Sequence, residues 1–203
     1  KPKLNKQKDF DTFWKETLAS SRHQPLHAKE EKIDYPIQSI KVSKIYFDGF
    51  ESGTIAGYFI RPNRSGKFPV IMVFHGYTVH KGFPHDYLPW VDLGFAVCTI
   101  DTRDQSGESV DGRSYGDGHV MGWMTKGMES PYKYYYRGVY MDCVRAIDYV
   151  CSRPETDTSH IVVTGGSQGG ALALATAALD SRVKICMSDL PFLCHYRRAI
   201  EAS

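Results

Sequence analysis

The spacing of apolar residues along the 203-residue chain changes period several times. Phe10, Phe13, Trp14 and Leu18 recur at helical spacing behind Asp9, which predicts an amphipathic helix with Asp9 as its N-cap. Residues 25–36 carry prolines and charges without periodicity and read as a connector. Residues 39–47 and 54–60 read as two strands joined through a turn at Asp48-Gly49 to Gly53. Residues 69–74 and 95–100 are continuous apolar runs, the pattern of strands buried on both faces of a parallel sheet. Tyr140, Cys143, Val144, Ile147 and Cys151 then mark one face of a helix that stops before Pro154. Residues 161–164 form the next buried strand, 168–179 a helix and 183–187 another strand. This order predicts one α/β domain over residues 1–203, a mostly parallel sheet with helices on both faces and two antiparallel strands at its start. Residues 101–136, rich in Gly, Ser and Tyr, form a stretch too long for a bland connection.

The sharpest feature is "IVVTGGSQGG" at 161–170, where a β-branched strand breaks into glycines around Ser167 and continues as a helix. That is the G-x-S-x-G nucleophile elbow, a strained strand-to-helix turn that lifts a serine hydroxyl clear of the sheet. The N–H of Gln168 then lies at the helix N-terminus, where developing oxyanion charge is stabilised. A phosphate loop would need Gly-Lys-Ser/Thr or G-x-G-x-x-G spacing, and neither occurs. A second element supports the elbow. "HGY" at 75–77 follows a buried strand, the junction that supplies the other oxyanion N–H in α/β-hydrolases, here that of Tyr77.

Net charge is +2, with both signs interspersed, and gives no basic field for nucleic acid. The lysines at positions 1, 3, 6 and 8 read as a solvated terminus. No apolar run reaches transmembrane length. Five cysteines, an odd number lying partly within apolar runs, suggest free thiols and a reducing cytoplasm. The chain starts at Lys1, which leaves a cleaved leader open. His80, His85 and His119 lack metal-ligand spacing, so a zinc hydrolase is not expected. Tyr132 and Tyr134 to Tyr136 could stack on sugar rings, but packing is the commoner use of such a cluster.

"HGY" at 75–77, "DTRDQSGES" at 101–109, "GWMTKG" at 122–127, "YYYRGVYMDCVRAIDYV" at 134–150 and "VTGGSQGG" at 163–170 together resemble carbohydrate esterase family seven, the acetyl xylan esterase and cephalosporin C deacetylase group of α/β-hydrolases. The resemblance implies Ser167 as acyl-accepting nucleophile and the Tyr77 and Gln168 amides as oxyanion hole. It implies no cofactor or metal, small acetylated saccharides as substrates and a hexameric assembly. The family's Arg-Gly-Gln motif is matched by Arg103-Asp104-Gln105, with Asp104 in place of glycine. Arg103 and Gln105 are expected to support the site structurally, and Asp104 to tolerate a left-handed conformation if the position requires one.

Only 36 residues follow Ser167. They hold Asp189 and His195 in the chain order of a triad, but six residues apart on one segment, whereas acid and base normally come from different strand ends. The triad Asp and His are therefore expected outside this chain, the strand at 183–187 at a sheet edge, and the 203-residue chain alone nearly inactive. The alternatives are another α/β-hydrolase, such as a peptidase or a dienelactone-type enzyme, or a non-catalytic fragment acting by binding.

Overall fold

A computed structural model describes residues 6–115, 122–196, 198 and 201. His119 and the lysines at positions 1 and 3 lie outside the described residues. Helix α1 spans Phe10–His23, strand β1 Lys29–Ile33, β2 Ile40–Asp48, β3 Thr54–Pro62 and β4 Phe68–Phe74. After a 3-10 turn at Pro84–Tyr87 come α2 (Leu88–Asp92), β5 (Ala96–Ile100), α3 (Tyr135–Cys151), β6 (Thr156–Gly166), α4 (Gln168–Leu179) and β7 (Val183–Asp189).

The strands form one seven-stranded sheet in the order β1-β2-β3-β5-β4-β6-β7. The first three pairings, β1 with β2, β2 with β3 and β3 with β5, are antiparallel. The pairings of β4 with β5 and β6, and of β6 with β7, are parallel. Among the described residues β7 lies at one edge of the sheet, where the sequence reading puts it. The α/β fold agrees with the sequence reading, with one correction: the sheet is mixed, three pairings antiparallel and three parallel, rather than mostly parallel. The antiparallel section has a third strand, β1, inside what reads as an aperiodic connector. Its residues Lys-Glu-Glu-Lys-Ile are nearly all exposed, so burial leaves no alternation to detect. Backbone pairing with β2 holds it, and its charges guard an open edge.

Alternation along the strands sorts the core into two layers. Val70, Met72 and Phe74 of β4 and Ala96, Cys98 and Ile100 of β5 face α3 and α4, in a cluster with Tyr135, Val139, Cys143 and Ile147. Val97 of β5 and Ile60 of β3 face the other way, against Val91 of the short α2. That second face is only partly covered. Ile71, Val162, Ile185, Met187, Trp90 and Phe95 line an apolar cleft of about 570 Å³. Cys98 and Cys143 are buried and Cys194 is exposed, all as free thiols.

Asp9 does not cap α1. Its backbone is helical (φ −93°, ψ 0°), no side-chain cap bond forms, and its carbonyl accepts from the Phe13 N–H. The helix is held by tertiary contacts instead. Arg145 of α3, 1% exposed, donates to the carbonyls of Ser21, Gln24, Pro25 and Asp48 at 2.7–3.1 Å. One guanidinium thus ties the end of α1 and the start of the connector to the end of β2. Tyr132 packs edge-on to Phe13 with ring centroids 5.1 Å apart, and Tyr135 and Tyr136 are fully buried. The tyrosine cluster is largely packing.

Arg145→Ala strands these carbonyls without their donor. It should lower unfolding free energy by about 3 kcal/mol or more, read as a lower urea midpoint, with early proteolytic cleavage between α1 and β1. A loss under about 1 kcal/mol would show that the carbonyls find other donors.

Candidate active site

The elbow is built by three close approaches. Gly165 ends the pairing of β6 with Phe74 of β4. A Cβ there would sit 2.5 Å from the Phe74 carbonyl oxygen, and one on Gly169 would sit 2.0 Å from the same atom. Gly170 packs on β7, where a Cβ would meet the Asp189 carbonyl at 2.6 Å. With these side chains absent, α4 starts directly against the ends of β4, β6 and β7. Ser167 takes up the turn at φ 56°, ψ −117°. That conformation is strained for a non-glycine residue and is found where surrounding structure imposes it. Its N–H donates to the Asp189 carbonyl at 3.0 Å, and its carbonyl accepts from the Phe192 and Ala171 N–H groups. The backbone is fully engaged and the residue is exposed.

Tyr77 follows β4 in a loop held from below by residues 101–109. His75 is the first anchor: the Thr102 N–H donates to its Nε2 at 2.8 Å and its Nδ1 lies 2.7 Å from the Gly76 carbonyl. Both contacts are satisfied by the neutral ring with its proton on Nδ1. Burial holds the His75 pKa below the usual histidine value. The second anchor is Gln105, whose Oε1 accepts from the Thr78 N–H at 3.3 Å. The third is Lys81, which gives its N–H and Nζ to the two carboxylate oxygens of Asp101 at 2.7 and 2.6 Å. Glu108 accepts from the same Nζ at 2.9 Å. Tyr77 itself packs edge-on to Trp123 and tilted against Phe192. An aromatic wall therefore stands beside the elbow, with Phe192 joined to Ser167 through the backbone.

Gln168 is completely buried. Its Oε1 accepts from Gln105 Nε2 at 2.9 Å and its Nε2 donates to Gln105 Oε1 at 3.0 Å, a reciprocal amide pair. The Tyr136 hydroxyl donates to the same Gln168 Oε1 at 2.7 Å. Arg103 is equally buried and far from solvent. It meets Asp142 of α3 through two bonds of 2.6 Å, Asp111 at 2.9 Å and the Phe50 carbonyl at 3.1 Å. Such a paired, forked contact is architectural. Asp104, where the resembled family has glycine, sits at φ 55°. The left-handed conformation is thus required here, and Asp104 steadies it by accepting the Asp111 N–H at 2.9 Å.

Among the described residues, no histidine or carboxylate side chain hydrogen-bonds the Ser167 hydroxyl. Asp189 meets the elbow through its backbone carbonyl. The His195 ring accepts from the Arg198 N–H at 3.1 Å. His80 accepts from the Gly82 N–H and His85 contacts Tyr35, both at the surface. No cluster of three or more metal-ligating side chains occurs among the described residues. Sequence reasoning missed Asp142, Tyr136 and Lys81 as supports of the site. The one legible signal was Asp142, a carboxylate set among the apolar residues of α3, which calls for a buried cationic partner.

Comparison with known proteins gives a consistent picture. The family model described as acetyl xylan esterase (AXE1) matches residues 1–203. Acetyl esterase Axe7A of Xylanibacter ruminicola is 32% identical over 201 residues, covering 95% of this chain and 45% of that protein. The solved acetyl xylan esterase from Paenibacillus sp. R4 superposes with a TM-score of 0.96 at 45% identity, covering 100% of this chain and 65% of that one. Acetyl xylan esterase 1 from Thermoanaerobacterium sp. superposes with a TM-score of 0.91 at 30% identity, over 96% of this chain and 62% of that one. The chain thus spans a little under half the length of that curated relative and less than two thirds of either solved one.

Two outcomes follow from this geometry. Gly169→Ala should prevent stable folding of the elbow, because its Cβ would overlap backbone, whereas Gly166→Ala, whose Cβ meets nothing closer than 4.0 Å, should unfold within about 1 kcal/mol of the parent in urea. The pH dependence concerns His75. A histidine with a depressed folded pKa contributes stability that is whole above its unfolded value of 6.5 and is lost as pH falls toward the folded value. Its imidazole proton resonances should titrate at lower pH than those of an exposed histidine; titration at or above the exposed value would contradict the assignment.

Proposed function

Because the chain belongs to the acetyl xylan esterase family, we propose that it carries the nucleophile and oxyanion hole of a serine esterase that removes acetyl groups from acetylated xylo-oligosaccharides and related small esters. The observation that supports this most is Ser167, exposed at φ 56° between β6 and α4, with the Gln168 N–H behind it at the start of the helix. The first N–H groups of a helix have no intrahelical acceptor. The Tyr77 N–H likewise finds no backbone carbonyl among the described residues. These two amides are the donors for an oxyanion.

In the proposed reaction Ser167 Oγ attacks the ester carbonyl carbon and its proton passes to a histidine base. The carbonyl oxygen takes the negative charge toward the Tyr77 and Gln168 N–H groups. Collapse of the tetrahedral species breaks the bond to the sugar oxygen, which leaves as the alcohol with the proton returned by the base. Water then attacks the acetyl-serine by the same steps and releases acetate. The base and its orienting acid are assigned to the share of the relatives' length that this chain does not cover, since neither the Asp189 nor the His195 side chain hydrogen-bonds Ser167. No step calls for a metal or a redox cofactor. The aromatic wall of Tyr77, Trp123 and Phe192 suits a small acyl group and a pyranose face. Cephalosporin C type acetyl esters, a hexameric assembly and a cytoplasmic setting belong to the same proposal, the last supported by the free thiols.

In the full-length protein an organophosphonate probe should label Ser167, and Ser167→Ala should lower kcat/KM for p-nitrophenyl acetate by about 10³-fold or more. The acyl series should fall steeply from acetyl to butyryl. Labelling at another residue, with hydrolysis intact in Ser167→Ala, would reject the nucleophile; a flat acyl profile would reject the acetyl preference alone.

A further inference from the structure

The Tyr77 N–H belongs to the peptide whose carbonyl is that of Gly76. In a planar trans peptide the C=O and N–H point in opposite directions, so whatever grips the Gly76 oxygen aims the Tyr77 N–H. Two side chains approach that oxygen. His75 Nδ1 is 2.7 Å away, and Gln168 Nε2 approaches from the elbow at 3.5 Å. On the far side of Tyr77, the Thr78 N–H is taken by Gln105 Oε1 at 3.3 Å, and the Ser106 hydroxyl donates to the Thr78 carbonyl at 2.5 Å. Gln105 and Gln168 then bind each other twice, at 2.9 and 3.0 Å. The pair is closed off by Tyr136 on Gln168 Oε1 and by the Tyr135 hydroxyl, 3.3 Å from Gln105 Nε2.

Gln168 therefore stands in both halves of the site. Its backbone N–H is one oxyanion donor, and its side chain reaches across to the peptide that carries the other. We propose that the buried Gln105–Gln168 amide pair, acting with the His75 ring that grips the Gly76 oxygen, is the positioning device of the oxyanion hole, setting the direction of the Tyr77 N–H relative to that of Gln168. This rests on the serine esterase reading given above. Neither amide touches substrate, so both act through the backbone they hold. A glutamine suits each place because each must donate and accept at once, which neither a carboxylate nor an aliphatic side chain can do. The gap between strand end and elbow is completely buried at Gln168 and nearly so at Gln105, so no water-filled route replaces the contact.

The test uses Gln105→Met, which keeps length and volume but removes both hydrogen bonds to Gln168, together with Gln168→Met and the double variant, all in the full-length protein. With p-nitrophenyl acetate, each single change should lower kcat about tenfold or more with KM little changed. A trifluoromethyl ketone, which forms a tetrahedral adduct on the serine, should lose affinity by the same factor as kcat. The double variant should be no worse than the weaker single, because either change breaks the same pair. Loss confined to thermal stability or to KM, or additive effects on kcat, would overturn the inference. A structural reading needs no activity. With ¹⁵N-tyrosine labelling, the Tyr77 amide resonance should shift in Gln105→Met, and an unmoved resonance overturns the proposal by itself. Wild-type hydrolysis that survives Ser167→Ala would instead reject the esterase reading, and the Tyr77 resonance would still decide whether the pair sets that amide.

Discussion

The contact on which the site depends is the approach of one carbonyl group, that of Phe74, to two glycines of the elbow. Gly165 and Gly169 both lie where any Cβ would press on the Phe74 oxygen. This closeness brings the end of β4, and therefore the loop of Tyr77, beside the start of α4. A sheet spaces neighbouring strands at about 4.8 Å, and only glycine lets a helix begin in the same gap. The strained φ of Ser167 is the other side of the constraint. The chain must turn from strand to helix within one residue, and the Asp189 carbonyl and Phe192 N–H hold that residue from the β7 side. The serine hydroxyl is left exposed, with no hydrogen bond among the described residues.

Around this contact the buried polar groups are paired. Arg103, fully buried, is joined to Asp142 on α3 and Asp111 in the loop after β5. The Gln105–Gln168 pair and Lys81 on Asp101 are further such pairs. A buried ion pair adds little net stability compared with a well-packed apolar pair, but breaking one partner is costly. Such pairs fix loops in one arrangement. Residues 101–109, which have almost no regular structure, are held this way, and they in turn hold the loop that carries Tyr77. The buried neutral His75 adds a contact that works in one tautomer only.

Much of this was legible in the sequence, for identifiable reasons. β4, β5 and the core of β6 are buried on both faces and show as continuous apolar runs, and the elbow is legible because its glycines are demanded by backbone contacts. β1 was invisible because its stability comes from backbone pairing, which leaves no mark on which side chains are apolar. Asp9 looked like a cap but sits in helical backbone, where its side chain cannot reach the first amides. Arg103 and Gln105 could be placed near the site by resemblance. Their partners Asp142 and Gln168 could not be paired with them, because they lie 39 and 63 positions away in the chain, and pairing at that range is a property of topology.

In the proposed reaction an acyl group passes through Ser167. The direct measurement is rapid-quench mass spectrometry of the full-length protein mixed with an acetyl ester, with the peptide containing residues 163–170 isolated from the early milliseconds. This peptide should gain one acetyl group on Ser167 and lose it on the timescale of turnover. Turnover that proceeds with that peptide unmodified throughout, or acetyl found on another residue at the rate of catalysis, would contradict it.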